Sequence, residues 1–141
     1  MKKIILFFFI SFSSCPLLSQ EIIDTTKSSD VLKYYELKGE AWKDWNAISQ
    51  NWMKNEYHKI LKENKLKMTC SGCEYIYLDV VLNIDSTGKM TYYKLINSNK
   101  CSEKFSKKLE IQFMKSFFNL KFPDSLKNMY FEARLGTGLK C

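Results

Sequence analysis

The sequence is poor in the residues from which many catalytic and fibrous structures are built. It has one histidine, His58, which weighs against any site that needs two imidazoles, such as an HExxH zinc centre. Two prolines and five glycines exclude collagen-like repeats and a proline-rich spacer. Arg134 is the only arginine, so nucleic acid is not predicted as a partner despite the formal net charge of +7.

What remains is the composition of one small globular domain. The 141 residues are 45% hydrophobic and 26% charged, values that argue against wholesale disorder and against a multi-span membrane protein. There is no glycine-rich phosphate loop, and nothing pairs His58, Asp79 or Asp85 with a nucleophile in sequence. The composition therefore predicts a binding protein without cofactor or metal rather than an enzyme.

The first twenty residues have the organisation of an export signal. Residues 1–3 are basic at Lys2 and Lys3, residues 4–12 (IILFFFISF) are apolar, and residues 13–20 (SSCPLLSQ) are small and polar by comparison. The apolar run is shorter than the roughly 20 residues that span a bilayer as a helix. We therefore expect a signal peptide over residues 1–20, cleaved to leave a periplasmic or secreted protein. The alternative is a lipoprotein signal in which Cys15 carries the lipid and holds the protein at a membrane.

Removal of the signal would leave four cysteines, Cys70, Cys73, Cys101 and Cys141. An even number in an exported chain favours structural disulfides, and the sequence alone allows any of the three pairings. The C-x-x-C spacing of residues 70–73 is also that of redox thiols and of half a zinc site. A cysteine cluster that binds zinc or acts through its thiols is therefore the alternative function.

Residues 21–67 divide into a linker and a helical segment. Residues 21–30 include the polar run DTTKSSD and are predicted to be a flexible linker. Residues 31–67 lack proline, and their apolar residues recur at spacings of three and four, which predicts an N-terminal Trp-rich helical segment. The recurring positions are Ala41, Trp45, Ile48, Trp52, Met53, Tyr57, Ile60 and Leu61.

Residues 68–141 contain three segments with the patterns of strands. Residues 75–84 alternate apolar and polar side chains, the turn cluster Asp85-Ser86-Thr87-Gly88 suits a hairpin, and residues 89–97 supply its second strand. A helix with apolar residues every four positions follows, and residues 129–135 alternate again. Since the helix returns the chain, the last strand can be antiparallel only to the first. The predicted fold is α+β: an N-terminal helix, then a β-β-α-β unit with a three-stranded antiparallel sheet in the order 2-1-3.

This topology brings the four cysteines to one edge of the sheet. Cys70 and Cys73 come just before the first strand, Cys101 just after the second, and Cys141 after the third. Disulfides from the Cys70/Cys73 pair to Cys101 and Cys141 fit this arrangement, and so does a four-cysteine metal site. The topology leaves both open, and the export signal favours disulfides.

From Tyr75 to the C-terminus the chain resembles the TonB C-terminal domain family. The resemblance rests on residues 77–98 (YLDVVLNIDSTGKMTYYKLINS), the amphipathic helix, the Lys121-Phe122-Pro123 break and residues 129–135 (MYFEARL). It implies a β-β-α-β module whose last strand offers its edge to an extended peptide from an outer-membrane receptor. Energy transducers of the family need an uncleaved membrane anchor and a long proline-rich spacer, whereas this chain has a cleavable-looking signal and only two prolines, Pro16 and Pro123. In this respect it departs from the family, and we expect an exported single-module member that does not transmit force from an inner-membrane motor.

We therefore expect an exported, non-catalytic adaptor of the cell envelope. It would bind a protein or an extended peptide, for example of an outer-membrane receptor or another envelope protein, by strand addition to the edge of the last strand. Tyr130, Glu132 and Arg134 would flank the added strand, although the solvated face of any strand carries similar residues. An exposed edge also permits a homodimer by sheet pairing.

Overall fold

The computed structural model describes residues 31–101 and 106–141. The signal peptide predicted for residues 1–20, with Cys15, and the linker predicted for residues 21–30 lie outside the described residues. The described part is a mixed α+β structure with helices packed on one face of a sheet, which confirms the predicted class. None of the helices in the two described ranges is long and apolar enough to span a bilayer.

The N-terminal helical segment contains a change of helix type. Helix α1 (Gly39–Trp52) and helix α2 (His58–Glu63) are joined by a π-helical turn, Met53–Tyr57. In a regular α-helix, residues five positions apart point in different directions, whereas a π turn brings them to the same side. The turn thereby lets both Trp52 and Tyr57 enter the core, where their ring centroids lie 5.8 Å apart.

The Trp-rich side of this segment packs into the core against helix α3 (Ser106–Phe118) and the sheet. The ring of Trp52 lies 5.3 Å from that of Phe113 and 4.8 Å from that of Phe117, between centroids. The ring of Trp45 lies 5.1 Å from that of Phe131 in the sheet. Both tryptophans are about 1% exposed, so they hold the helices to the sheet and form no open aromatic platform.

The sheet has four strands in the order β1-β4-β2-β3. Strand β2 (Tyr75–Ile84) pairs antiparallel with β3 (Met90–Asn99) on one side and with β4 (Tyr130–Gly138) on the other. A short strand, β1 (Leu32–Lys33), pairs in parallel with Phe131 and Glu132 of β4. The prediction of a three-stranded, wholly antiparallel sheet was therefore wrong. A two-residue strand is too short to show an alternating pattern, so the sequence carried no signal for it.

The two sheet faces differ in chemistry. Alternate residues of β2 and β4 are buried against the helices, namely Ile76, Leu78, Val80, Leu82, Ile84, Phe131, Ala133 and Leu135. The opposite, outer face carries the polar and aromatic residues of the same strands. The β2–β3 turn is held by Asp85, whose carboxylate accepts hydrogen bonds from the N–H groups of Lys89 at 3.0 Å and Thr87 at 2.8 Å. These bonds hold the pKa of Asp85 below its ordinary value.

Candidate functional site

Strand β4 carries the three residues predicted to bind a partner. Tyr130 and Arg134 are exposed and Glu132 is half-buried, and all three lie on the outer face of the sheet. The edge beside them is not free along its whole length, however, because β1 occupies it at Phe131 and Glu132. The structure therefore does not bring Tyr130, Glu132 and Arg134 to one continuous open edge. Of the three, Glu132 is covered by β1, Tyr130 precedes the covered part and Arg134 follows it.

The directions of the backbone groups show which part of β4 is available. Hydrogen bonds from Ile84 N–H to the Met129 carbonyl (3.0 Å) and from Leu139 N–H to the Glu74 carbonyl (2.8 Å) flank the β2–β4 ladder. Because hydrogen-bonded pairs alternate in an antiparallel ladder, the N–H and C=O groups of Arg134, Gly136 and Gly138 point away from β2. Among the described residues, no strand pairs with these three positions on the side of β4 that faces away from β2.

A pocket of about 260 Å³ lies beside this open part of β4. One wall is helix α1, which contributes Asn46 and Ser49, with the buried Trp45 between the helix and the sheet. Tyr34, which follows β1 directly, closes one end. The other wall is formed by the edge of β4 and the outer-face tyrosines of β2; its residues are Tyr75, Tyr77, Arg134, Gly136, Thr137 and Gly138. We call these residues the edge pocket.

Arg134 is held in place at the edge pocket by two neighbours. Its Nε and Nη2 atoms donate to the two carboxylate oxygens of Asp79, at 2.7 and 3.0 Å. Its guanidinium carbon also lies 4.1 Å from the ring centroid of Tyr77, in a cation–π contact. The hydrogen bond to Asp79 raises the pKa of Arg134 above its ordinary value. The side chain is thus a fixed cation with its Nη1 group left to donate elsewhere.

Two glycines allow the tyrosines to lie close to β4. Gly136 is opposite Tyr77 and Gly138 is opposite Tyr75 in the antiparallel register. A Cβ atom at Gly138 would collide with the ring of Tyr75, and one at Gly136 would collide with the carbonyl oxygen of Ile76. Glycine within a strand often marks a close approach of another group to the backbone. The spacing of Gly136 and Gly138 is therefore the one sequence signal for the edge pocket, and neither glycine was among the predicted site residues.

The opposite edge of the sheet, β3, is protected against strand pairing. Its middle carries Lys94, and the β2–β3 register shifts between Asp79 and Val80, where Ile96 is left unpaired as a bulge. The side-chain oxygen of Asn97 accepts a hydrogen bond from the N–H group of Ser98 at 2.8 Å. This N–H group is therefore not available to an added strand. Lysines, bulges and satisfied donors are the devices by which natural edge strands avoid pairing.

The four predicted cysteines form two disulfides, Cys70–Cys141 and Cys73–Cys101. The prediction of structural disulfides is thus confirmed, and the bridges tie the loop before β2 to the ends of β4 and β3. Paired sulfurs supply no thiolate for zinc, so the alternative cysteine-cluster function would require reduction of both bridges. Within residues 31–101 and 106–141, no group of three or more His, Cys, Asp or Glu side chains is arranged to hold a metal ion. The disulfides indicate an oxidising compartment.

Comparisons of the chain with protein-family models, with curated proteins and with solved structures found no match.

Proposed function

We propose that this protein is an exported, non-catalytic binding module that captures an extended peptide by strand addition to β4. The observation that carries the proposal is the open row of backbone donors and acceptors at Arg134, Gly136 and Gly138, next to the edge pocket. Unpaired N–H and C=O groups at a sheet edge are a ready template for another strand. The enzyme and metal classes have no comparable supporting observation among the described residues.

Strand β1 defines where the added peptide would begin. It runs parallel to β4 and ends at Lys33, opposite Glu132, where the chain turns into the helical turn Tyr34–Glu36. The peptide would continue along the same edge from Arg134 onward, with its backbone bonded to alternate residues of β4. Alternate side chains of the peptide would then point to opposite faces, and one of them would enter the edge pocket.

The kind of partner follows from the compartment and from the family resemblance. Two disulfides are typical of proteins outside the reducing cytosol. In the TonB C-terminal domain family, which residues 75–141 resemble, the last strand receives a peptide of an outer-membrane receptor. We therefore propose an envelope protein, with an extended segment of a receptor as the first class to test.

The test begins with a displayed library of random ten-residue peptides, selected on the disulfide-bonded protein. The affinity of an enriched peptide is then measured by fluorescence anisotropy after single N-methylation at each position in turn. Strand addition predicts that methylation weakens binding at least tenfold at every second position, where the amide faces β4, and has little effect between them. A uniform effect, or failure to enrich any peptide, would overturn the proposal.

Protein variants locate the edge independently of the peptide. Arg134→Pro removes an outward N–H group, whereas Arg134→Ala removes the same side chain and keeps the N–H group. We expect the proline variant to bind at least tenfold more weakly than the alanine variant. The matched control is Ser98→Pro on β3, which removes an N–H group from the opposite edge and should leave binding unchanged. Loss of binding in Ser98→Pro alone would place the peptide on β3 and contradict the proposal.

A further inference from the structure

The lining of the edge pocket indicates which side chain the peptide contributes. Resting on the strand-addition function proposed above, we infer that the captured peptide carries an acidic side chain, Asp or Glu, that enters the pocket between α1 and β4. The inference has three supports: hydrogen-bond donors without protein partners, one fixed cation, and the absence of carboxylates from the lining.

The first support is a set of half-buried polar side chains. Tyr34, Asn46 and Ser49 line the pocket, and each can donate a hydrogen bond. Within the described ranges, none of these three side chains makes a hydrogen bond to another protein group. An apolar side chain in the pocket would displace water from them and leave them unpaired, at a cost of about 1–3 kcal/mol for each group. The pocket therefore favours a side chain that accepts hydrogen bonds.

The second support is the guanidinium of Arg134. Asp79 engages its Nε and Nη2 atoms, and among the described residues Nη1 donates to no protein group, while the Arg134 side chain lines the pocket. A hydrogen bond from a guanidinium to a carboxylate is roughly twice as strong as one between neutral groups. This difference favours Glu or Asp over Gln or Asn, which would satisfy the neutral donors equally well.

The third support is the charge of the lining as a whole. Its ten residues include one arginine and no aspartate or glutamate. Asp79, which is 7% exposed, lies against Arg134 and does not line the pocket. A carboxylate entering the pocket would therefore meet no carboxylate among the lining residues and could bond to Arg134, whose charge Asp79 neutralises in part. A lysine or arginine side chain would find no acidic residue in the lining to pair with.

The peptide itself supplies the first test. In an enriched peptide, each acidic residue is replaced by its amide, Glu→Gln or Asp→Asn, and affinity is measured at low and at physiological salt. We expect one replacement, at a position whose side chain points toward α1, to weaken binding about tenfold, with a smaller difference at high salt. Equal affinities for all acid and amide forms would overturn the inference. The strand-addition function would survive that result if the alternating effect of N-methylation persisted, and would fall with it if the alternation were absent.

A charge variant of the pocket provides the matching test on the protein. Asn46→Asp keeps the size of the side chain and places a carboxylate in the pocket, so the acidic peptide should bind at least tenfold more weakly and the amide peptide should lose much less. Gln50→Glu is the control, because it makes the same change in net charge on an exposed position of the same helix, away from the pocket. If both variants weaken the acidic peptide equally, the effect is one of overall charge and the inference is wrong.

Discussion

Arg134 of β4 and Asp79 of β2 face each other across the outer side of the sheet and share two hydrogen bonds of 2.7 and 3.0 Å. Asp79 is 7% exposed although it lies on the outer, solvent-facing side. The pair places a cation at the edge pocket and holds its side chain in one direction. A residue of the central strand thus positions a residue of the edge that we propose to bind a peptide.

Loss of the Asp79 carboxylate should therefore reduce stability. We expect Asp79→Asn to lower the free energy of unfolding by about 1–3 kcal/mol, because it removes the charge of a largely buried carboxylate and weakens both of its hydrogen bonds with the half-exposed Arg134. Urea denaturation measures this change. The control is Asp124→Asn, which removes a carboxylate that is 93% exposed and paired with Lys127, and should cost much less than Asp79→Asn because solvent screens the pair. Equal losses in the two variants would show that burial of Asp79 contributes nothing.

The sequence predicted the parts of this structure that repeat locally. Alternation over residues 75–84 was sufficient to identify β2 and its buried face, because each inward position is aliphatic. Strand β1 and the π turn at Met53–Tyr57 leave no such repeat, since the first is two residues long and the second adds a single residue. Of the edge pocket, only the glycine pair Gly136 and Gly138 left a signal in the sequence. The walls of the pocket come from the segment 34–49 and from β2 and β4, and only tertiary packing brings them together.

The two disulfides should differ in their contribution to stability. Cys70–Cys141 spans 71 residues and Cys73–Cys101 spans 28, so the chain-entropy relation gives about 4.4 and about 3.6 kcal/mol. We expect the double variant Cys70→Ser/Cys141→Ser to have a free energy of unfolding roughly 1 kcal/mol lower than that of Cys73→Ser/Cys101→Ser, measured by urea denaturation. Mass spectrometry of a non-reducing digest should show the Cys70 peptide linked to the Cys141 peptide. Linkage of Cys70 to Cys101 or to Cys73 would contradict the pairing.

Gly88 should not tolerate a side chain. Its φ is +78°, and a Cβ atom there would collide with the carbonyl oxygen of Phe122, whose N–H group donates to the Gly88 carbonyl at 2.8 Å. We expect Gly88→Ala to lower the free energy of unfolding by about 2 kcal/mol or more, measured by urea denaturation. Gly39→Ala is the matched control, because Gly39 has φ +60° but nothing within 4 Å of a Cβ atom. The free energy of unfolding of Gly39→Ala should fall by only about 1 kcal/mol. A decrease as large as that of Gly88→Ala would mean that the positive φ alone accounts for both losses.

Tyr57 should make stability depend on alkaline pH. Its hydroxyl is fully buried and donates to the Ile76 carbonyl at 2.9 Å, and burial raises its pKa to about 12. Because the folded state favours the neutral phenol, its contribution to the free energy of unfolding is fully present below about pH 10, the pKa in the unfolded chain, and is lost as the pH rises toward 12.

Tyr57→Phe should lower the free energy of unfolding by about 1 kcal/mol at pH 8, where the hydrogen bond is intact. By pH 11 the wild type should have lost about 1.4 kcal/mol that the variant keeps, so the order should reverse and the variant should be the more stable by roughly 0.4 kcal/mol. Urea denaturation of wild type and variant at both pH values tests this, with Tyr92→Phe as the control for loss of a hydroxyl at the surface. A difference for Tyr57→Phe that does not change with pH would show that burial of this hydroxyl does not control its ionisation.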